Sequence, residues 1–323
     1  MSQKTIMITG IGGVVGQGIL RNIAELNLDI PLIGINISAV SAGNYLCDKV
    51  YKVPYSYEPG YIDAVKEIVE KENIGLIIPS TDYEAYYLAG AADKLGTVVA
   101  ASPKEVTEFC LDKYKNYQAF SKYNIPFAKS LLPSEYNNEF VNTIVKPREG
   151  RGSRNIFVNP EKPKDFDDSY VVQEFLEGPE ITTTFYVKRT GHLHGLITFQ
   201  RELELGNTAQ AEVVFDYDEE MIALILKMIE KYPFRGSCNV QSKVTSKGII
   251  PFEINCRISG TNSLRSQFGF NDVAFTVQEN FFNEEPELPN IRKGSALRVI
   301  LDIIYPDISL NEIKNKNDKF YIR

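Results

Sequence analysis

Asn239-Val240-Gln241-Ser242-Lys243-Val244-Thr245-Ser246-Lys247-Gly248-Ile249-Ile250-Pro251-Phe252-Glu253-Ile254-Asn255-Cys256-Arg257 is the stretch on which the reading of this chain turns. Val240–Thr245 and Ile249–Ile254 are β-branched and apolar enough to be strands. Ser246-Lys247-Gly248 between them suits a three-residue hairpin loop with glycine at the left-handed position. That register sets Thr245 opposite Ile249 and Gln241 opposite Glu253. Strand side chains alternate, so Glu253 and Asn255 share one face while Phe252 and Ile254 take the other. The polar face then carries three oxygen donors, from Gln241, Glu253 and Asn255, and no imidazole or thiolate. Hard oxygen ligands suit Mg²⁺ or Mn²⁺, and Mg²⁺ usually shares its shell with substrate phosphates. Arg257, two residues past Asn255, is placed to meet phosphate charge beside such a metal. The competing reading is a half-exposed hairpin with an ordinary polar face.

Two segments upstream bear on the same chemistry. Val145-Lys146-Pro147-Arg148-Glu149-Gly150-Arg151-Gly152-Ser153-Arg154 puts a lysine at a strand end and then a flexible loop. Its backbone N–H groups and guanidinium forks can fold over a triphosphate. It is not a Walker A loop, since it lacks Gly-Lys-[Ser/Thr], and a solvated basic hairpin is the alternative. In Val172-Gln173-Glu174-Phe175-Leu176-Glu177-Gly178-Pro179-Glu180 a strand runs into an acidic turn. Its backbone can serve an adenine edge, and Glu180 the ribose hydroxyls. Acidic strand-then-turn segments are also common in proteins that bind no nucleotide.

A glycine-rich signal competes with these. Thr9-Gly10-Ile11-Gly12-Gly13-Val14-Val15-Gly16 follows a strand, opens a helix and fits the Thr-Gly-x-x-Gly-x-x-Gly nucleotide fingerprint of short-chain dehydrogenases. A nicotinamide-dependent oxidoreductase is therefore an alternative. Against it, the second strand ends at Gly34-Ile35-Asn36, where a carboxylate for the ribose is expected. The one Tyr-x-x-x-Lys, Tyr45 to Lys49, falls far too early to face a nicotinamide ring. A tight strand–helix turn whose glycines serve packing is the preferred reading.

At 323 residues, with 43% hydrophobic and 24% charged residues, the chain is an ordinary globular one with room for two or three units. A net charge of −7 argues against nucleic acid as the main partner. No apolar run is long enough for a bilayer span, and no secretory signal is read at the N-terminus. Four scattered cysteines without a CxxC pair fit a reduced, cytoplasmic setting. His192 and His194 read as exposed residues of a hairpin turn.

Residues 5 to about 105 alternate strands (Thr5–Thr9, Ile30–Ile37, Gly75–Pro79, Val98–Ala101) and helices (Gly16–Leu28, Tyr61–Glu72, Asp82–Leu95). The alternation predicts a Rossmann-like parallel sheet. Beyond it, Pro103–Tyr123 reads as one helix. Short strands then follow up to Ala296–Ile304, with packing helices Met221–Tyr232 and Asp272–Phe282. The fold class is α/β plus α+β.

Taken in this order, the pieces resemble the ATP-grasp superfamily, in particular single-unit homologues of the carbamoyl-phosphate synthase large subunit such as the pyrrolysine-biosynthesis ligase. The resemblance covers roughly residues 1 to 290. It rests on the N-terminal unit, Cys110-Leu111-Asp112-Lys113, Lys146-Pro147…Gly152, Glu174–Glu180, and Asn239-Val240-Gln241…Glu253-Ile254-Asn255-x-Arg257. It implies a pre-grasp domain over 1–105, a small lobe with a phosphate lid over 106–178, a large lobe with the metal hairpin over 179–305, and a tail over 306–323. Lys113 and Lys146 would contact ATP phosphates, and Arg148 to Arg154, with Gly152 and Ser153, would form the lid. Glu174, Phe175 and Leu176 would line the adenine slot, and Glu180 would hold the ribose. Gln241 and Glu253 would bind one Mg²⁺ (or Mn²⁺) ion, and Glu253 and Asn255 a second. Arg257 would stabilise the transferred phosphoryl group. Cys256 stands where the family usually has proline, and Gly260 where the synthase has a second arginine.

The implied reaction is an ATP-dependent ligation. A carboxylate takes the γ-phosphoryl group, and an amine displaces phosphate from the acyl-phosphate to give an amide. Small-molecule acid and amine substrates are expected, and a homodimer is a further expectation. Asp82 and Glu84, at the carboxyl end of the third strand, are candidates to hold the amine. Helix capping by Ser80, Thr81 or Asp82 is the alternative there. Arg201 and Arg265 are candidates to hold a substrate carboxylate. A non-catalytic ATP-binding sensor is the remaining alternative.

Overall fold

The computed structural model describes residues 3–150, 155–204 and 206–323. The N-terminal unit runs β1 (Thr5–Ile8), α1 (Val14–Glu25), β2 (Leu32–Asn36), β3 (Lys49–Lys52), α2 (Tyr61–Glu72), β4 (Ile74–Ile78), α3 (Asp82–Gly90), α4 (Ala92–Leu95) and β5 (Val98–Val99). The five strands pair in parallel in the order β3-β2-β1-β4-β5. The order reverses between β1 and β4, so the loops after these strands face a crevice at the carboxyl end of the sheet. Alternation of strand and helix predicts this sheet, but not β3. Lys49-Val50-Tyr51-Lys52 is a partly exposed edge strand without the apolar run that marks its buried neighbours.

The expected single helix over 103–123 is two, α5 (Lys104–Leu111) and α6 (Lys113–Ser121). The break falls at Asp112, whose backbone is extended. Its carboxylate caps α6 by accepting from the N–H groups of Tyr114 (2.9 Å) and Lys115 (3.3 Å). Next comes an antiparallel sheet of β6 (Ser130–Leu131), β7 (Thr143–Pro147), β8 (Phe157–Val158) and β9 (Tyr170–Glu174), in the order β6-β9-β7-β8.

A larger antiparallel sheet follows. It is built from β10 (Glu180–Val187), β11 (Leu193–Glu204), β12 (Asn207–Val214), α7 (Asp218–Lys231), β13 (Gly236–Thr245) and β14 (Gly248–Asn255). Helices α8 (Asn262–Arg265) and α9 (Asp272–Val277) come next, and β15 (Ser295–Leu297) completes the order β14-β13-β10-β11-β12-β15. Helices α5, α6 and α7 cover one face, where Phe109, Phe120, Met221, Ile225, Phe234, Val240 and Ile254 form one apolar core. The other face packs Tyr186, Phe199, Phe270 and Phe275 at one end and is polar at the other.

The strand expected over 296–304 is instead two short ones. Arg298 donates to the carbonyl of Gly260 (2.8 Å), and the chain leaves the large sheet there. β16 (Ile303–Ile304) then pairs with β17 (Tyr321–Ile322). The segment between them returns to the N-terminal unit through Lys316, whose ammonium lies 2.7 Å from the Asp48 carboxylate.

The two ends of the chain are locked together. Ile258, Val273 and Val277 share one core with Ile6, Ile8, Ile19, Leu20, Leu76 and Ile78 of the N-terminal unit. Asn22 on α1 hydrogen-bonds both the carbonyl and the side chain of Asn262. This packing fixes where the chain after β14 sits relative to the crevice beyond β1 and β4.

Candidate active site

The hairpin places Gln241 opposite Glu253 and Asn239 opposite Asn255, the pairing expected from the sequence. The route to it differs. The loop has two residues, Ser246 and Lys247, because Thr245 pairs with Gly248. Gly248 takes φ 104°, where the absence of a Cβ removes the strain. A β-bulge between Gln241 and Ser242 leaves Phe252 as the extra residue and restores the shared-face register. The bulge also overturns the expectation that Phe252 lies with Ile254 on the core face. Its ring instead stands 5.3 Å from the Lys146 ammonium.

The Phe252 carbonyl, outside the ladder, is met by the small sheet. Lys146 Nζ on β7 and Gln173 Nε2 on β9 each donate to it at 3.4 Å, and Gln173 also reaches Ser130 Oγ at 2.9 Å. The bulge thus docks one lobe on the other and holds Lys146 beside Glu253. Lys146 is buried, and that burial pushes its ammonium down to about 8 despite the Glu253 charge. At Glu253 burial raises the carboxyl, but Lys113 and Lys146 outweigh it and hold the group below its ordinary range. The net effect is an ionised carboxylate under two lysines. Lys113 Nζ lies 3.5 Å from the Gly150 carbonyl.

The other proposed ligands surround this pair. Asn255 Nδ2 is 3.4 Å from Glu253 Oε1, so the amide oxygen remains as an acceptor. Gln241 Oε1 accepts from Arg201 Nη2 at 2.8 Å, which leaves it one lone pair. Arg201 also pairs with Glu180 at 3.1 Å, so its guanidinium is joined to both Glu180 and Gln241. Lys243 lies 3.8 Å from the other Glu180 oxygen. The set offers hard oxygen donors but only one carboxylate. Among the described residues no group of three His, Cys, Asp or Glu side chains converges for a metal. Such a set fits Mg²⁺ only when phosphate oxygens complete the shell.

Arg257 donates from Nη2 to Asp82 Oδ2 (2.7 Å) and from Nη1 to the Ile258 carbonyl (3.2 Å). Its Nε and Asp82 Oδ1 are buried without a hydrogen-bond partner among the described residues, leaving unused valence at this spot. Glu84 belongs to the start of α3, where Thr81 is the N-cap. Thr81 Oγ1 accepts from the Glu84 N–H and bonds the Glu84 carboxylate at 2.8 Å.

Arg265, a candidate for a substrate carboxylate, is instead bonded within the protein. It is fully buried, forked onto Asp272 (2.9 and 2.6 Å) and bonded to Ser259 Oγ (2.9 Å) and Thr261 Oγ1 (2.8 Å). Every edge of the guanidinium is spent inside the protein. Arg148, expected in the lid, is held by Asp112 Oδ2 at 2.5 Å and by the Asp168 carbonyl at 3.0 Å. Gly152 and Ser153, with the rest of the expected lid over 151–154, lie outside the described residues. Glu174 Oε1 accepts from the Lys129 N–H (2.8 Å). Phe175 is exposed, while Leu176 and Glu180 are half-buried. A cleft of about 540 Å³ opens beside Glu174 and Phe175, against Tyr117 and Phe140. It does not reach Lys146, Glu253 or Arg257, so the charged constellation lies outside this cleft.

In the Gly10–Gly16 turn the first and last glycines are crowded by their own chain. A Cβ on Gly10 (φ 56°) would stand 2.3 Å from Ser80 Oγ, and one on Gly16 2.6 Å from the Gly10 carbonyl. These glycines are needed for close approach of the backbone to its own chain. Gly13 is different, with only an ordinary 3.5 Å neighbour.

Residues 110–261 match the family model described as ATP-grasp domain, and residues 6–100 match that described as PylC-like, N-terminal domain. Residues 110–261 form an ATP-grasp domain. It is 22% identical over 332 aligned residues to the arginine-specific carbamoyl phosphate synthase large chain of Neurospora crassa, covering 89% of this chain and 28% of that one. The chain thus spans little more than a quarter of the length of this relative. Its fold is that of the biotin carboxylase domain of the Hydrogenobacter thermophilus 2-oxoglutarate carboxylase, solved with MgADP, ADP and bicarbonate. There the TM-score is 0.71 at 14% identity, covering 91% of this chain and 74% of that one. It is also that of an L-amino acid ligase from Bacillus licheniformis, with a TM-score of 0.68 at 12% identity, covering 87% and 75%. Among the described residues no helix is long and apolar enough to cross a membrane.

Proposed function

We propose that this protein is an ATP-dependent carboxylate–amine ligase that joins two small molecules through an acyl-phosphate. The observation that carries the reading is the convergence of Lys146 on Glu253 and Arg257 at the end of the hairpin, a cluster held by three parts of the fold. Lys146 comes from the small sheet, Glu253 from the bulged hairpin, and Arg257 is anchored on the N-terminal unit by Asp82. A buried cation beside an ionised carboxylate and a guanidinium suits a reaction that moves a charged phosphoryl group.

In this reading Lys113 and Lys146 bind the ATP phosphates, and the loop from Arg148 through Gly152 and Ser153 closes over them. Glu174, Phe175 and Leu176 contact adenine, and Glu180 turns from Arg201 to the ribose. Gln241, Glu253 and Asn255 hold two Mg²⁺ ions, which when bound neutralise phosphate charge. Arg257 orients the acid carboxylate and stabilises the phosphoryl group in transit. Asp82 holds Arg257 and is a positioning residue. The solved biotin carboxylase domain with MgADP and the L-amino acid ligase of the same fold support the nucleotide and the ligase class. The end of the second strand at Asn36, without a carboxylate for a ribose, supports ATP-grasp chemistry over nicotinamide binding.

The metal assignment is tested by calorimetry. With a single carboxylate in the set, Mg²⁺ alone should bind weakly and Mg²⁺ with ATP tightly, and Glu253→Gln should weaken the latter. Tight Mg²⁺ binding without nucleotide, retained in Glu253→Gln, would place the metal elsewhere.

A further inference from the structure

Behind Arg257 lies a pocket of about 290 Å³, enclosed by the end of β5, the β10–β11 turn, the start of β13 and the helical turn after α9. Three guanidiniums line it: Arg257, Arg189 from the β10–β11 turn, and Arg235 just before β13. Arg235 is half-buried. Its one side-chain hydrogen bond among the described residues goes to the carbonyl of its neighbour Phe234, at 2.6 Å. A Cβ on Gly191 would stand 3.5 Å from both of its terminal nitrogens, so the β10–β11 turn packs directly on the guanidinium.

Glu279 is the carboxylate in the lining, and both of its oxygens are already used. Tyr186 Oη donates to one (2.9 Å) and the Arg189 N–H to the other (2.8 Å). Arg189 Nε stands 3.9 Å from the latter, and its Nη2 reaches Asn283 at 2.6 Å. With Asp82 holding one edge of Arg257, three cations face two carboxylates, and the fork of Arg235 is left largely unspent. A small pocket with surplus, partly oriented guanidinium donors is suited to a carboxylate or phosphate. Arg257 borders this pocket and also acts on the Glu253 carboxylate.

We infer that this pocket holds a second anionic group of the acid substrate, so that the acid activated here is a compact dicarboxylate. This rests on the ligase reading. The reacting carboxylate would lie at Arg257, facing the nucleotide, and the distal one at Arg235 and Arg189. A pocket of this size lies at the small end of ligand sites and leaves room for a short chain between the two groups.

The test compares ADP release with succinate, aspartate and glutamate against their monoamides succinamate, asparagine and glutamine. The wild-type protein should prefer a dicarboxylate over its monoamide by roughly ten- to a hundredfold in kcat/KM, the range of a charge-assisted contact. Arg235→Ala should erase that preference while the thermal shift given by Mg-ATP is kept. Arg189→Gln, on an exposed side chain, should reduce the preference, and serves if Arg235→Ala does not fold. Monoamides as good as their dicarboxylates, or a preference intact in both variants, would overturn the proposal. Calorimetric titration of the same acids into the MgADP complex separates the two claims. Dicarboxylate binding that depends on Arg235, without ADP release from ATP by any acid, would keep the pocket and sink the ligase reading. Neither binding nor selectivity would sink the pocket.

Discussion

Arg257, two residues past the end of β14, donates to Asp82 at the start of α3 across 2.7 Å. The contact ties the end of the bulged hairpin to the crevice of the N-terminal unit. Both side chains are mostly buried, about 14% and 15% exposed, so the pair is only weakly screened. Asp82→Asn keeps the shape and removes the charge. It should lower kcat by about tenfold, equivalent to roughly 1.4 kcal/mol, with little change in the KM for ATP. An unchanged kcat would show that Arg257 is positioned without Asp82.

If Lys146 binds the ATP phosphates as proposed, ATP binding should depend on pH. Its ammonium titrates near 8 in the free protein, against about 10.5 for an ordinary lysine. Between these values the unfolded chain binds more protons than the folded one, so the Lys146 contribution to stability rises with pH across that window. Below pH 8 both forms are charged and the contribution is flat. Triphosphate binding favours the charged form, so it should take up close to one proton at pH 9 and almost none at pH 7. Apparent affinity should therefore fall as pH rises past 8. Calorimetric titrations of Mg-ATP in buffers of different ionisation enthalpy read this directly. The same proton uptake in Lys146→Ala would assign it to another group.

Arg265 distinguishes a structural cation from a substrate-binding one. Arg265→Met leaves the fully buried Asp272 carboxylate without its fork, a loss of roughly 3–5 kcal/mol. Urea unfolding should show it as a lower midpoint. A variant as stable as the wild type, with only the KM of the acid raised, would return Arg265 to the substrate site.

Much of this arrangement is legible in the sequence, though not always for the right reason. The pairing of Gln241 with Glu253 is expected from a three-residue loop, and arises from a two-residue loop plus a bulge at Phe252. The two differences cancel at Gln241. The bulge itself is invisible locally, because the partners of its carbonyl, Lys146 and Gln173, come from a different sheet. The three buried strands of the N-terminal unit, β1, β2 and β4, announce themselves by apolar runs, whereas the edge strand β3 does not. Arg265 reads as a candidate for a substrate carboxylate, yet it is consumed by Asp272 across the turn between α8 and α9. Sequence distance hides such a buried fork. The guanidiniums of Arg189 and Arg235 likewise meet Arg257 only in the folded chain.

Phosphorylation of a carboxylate beside Glu253 is the central proposal, and trapping with hydroxylamine tests it most directly. The protein is incubated with Mg-ATP, hydroxylamine and the acid panel, and ADP and hydroxamate are measured together. The account predicts equal amounts of both with a productive acid, and a fall of at least about a hundredfold in each for Glu253→Gln, with Tm little changed. ADP released with an acid but without hydroxamate, or formation of both at the wild-type rate in Glu253→Gln, would contradict it.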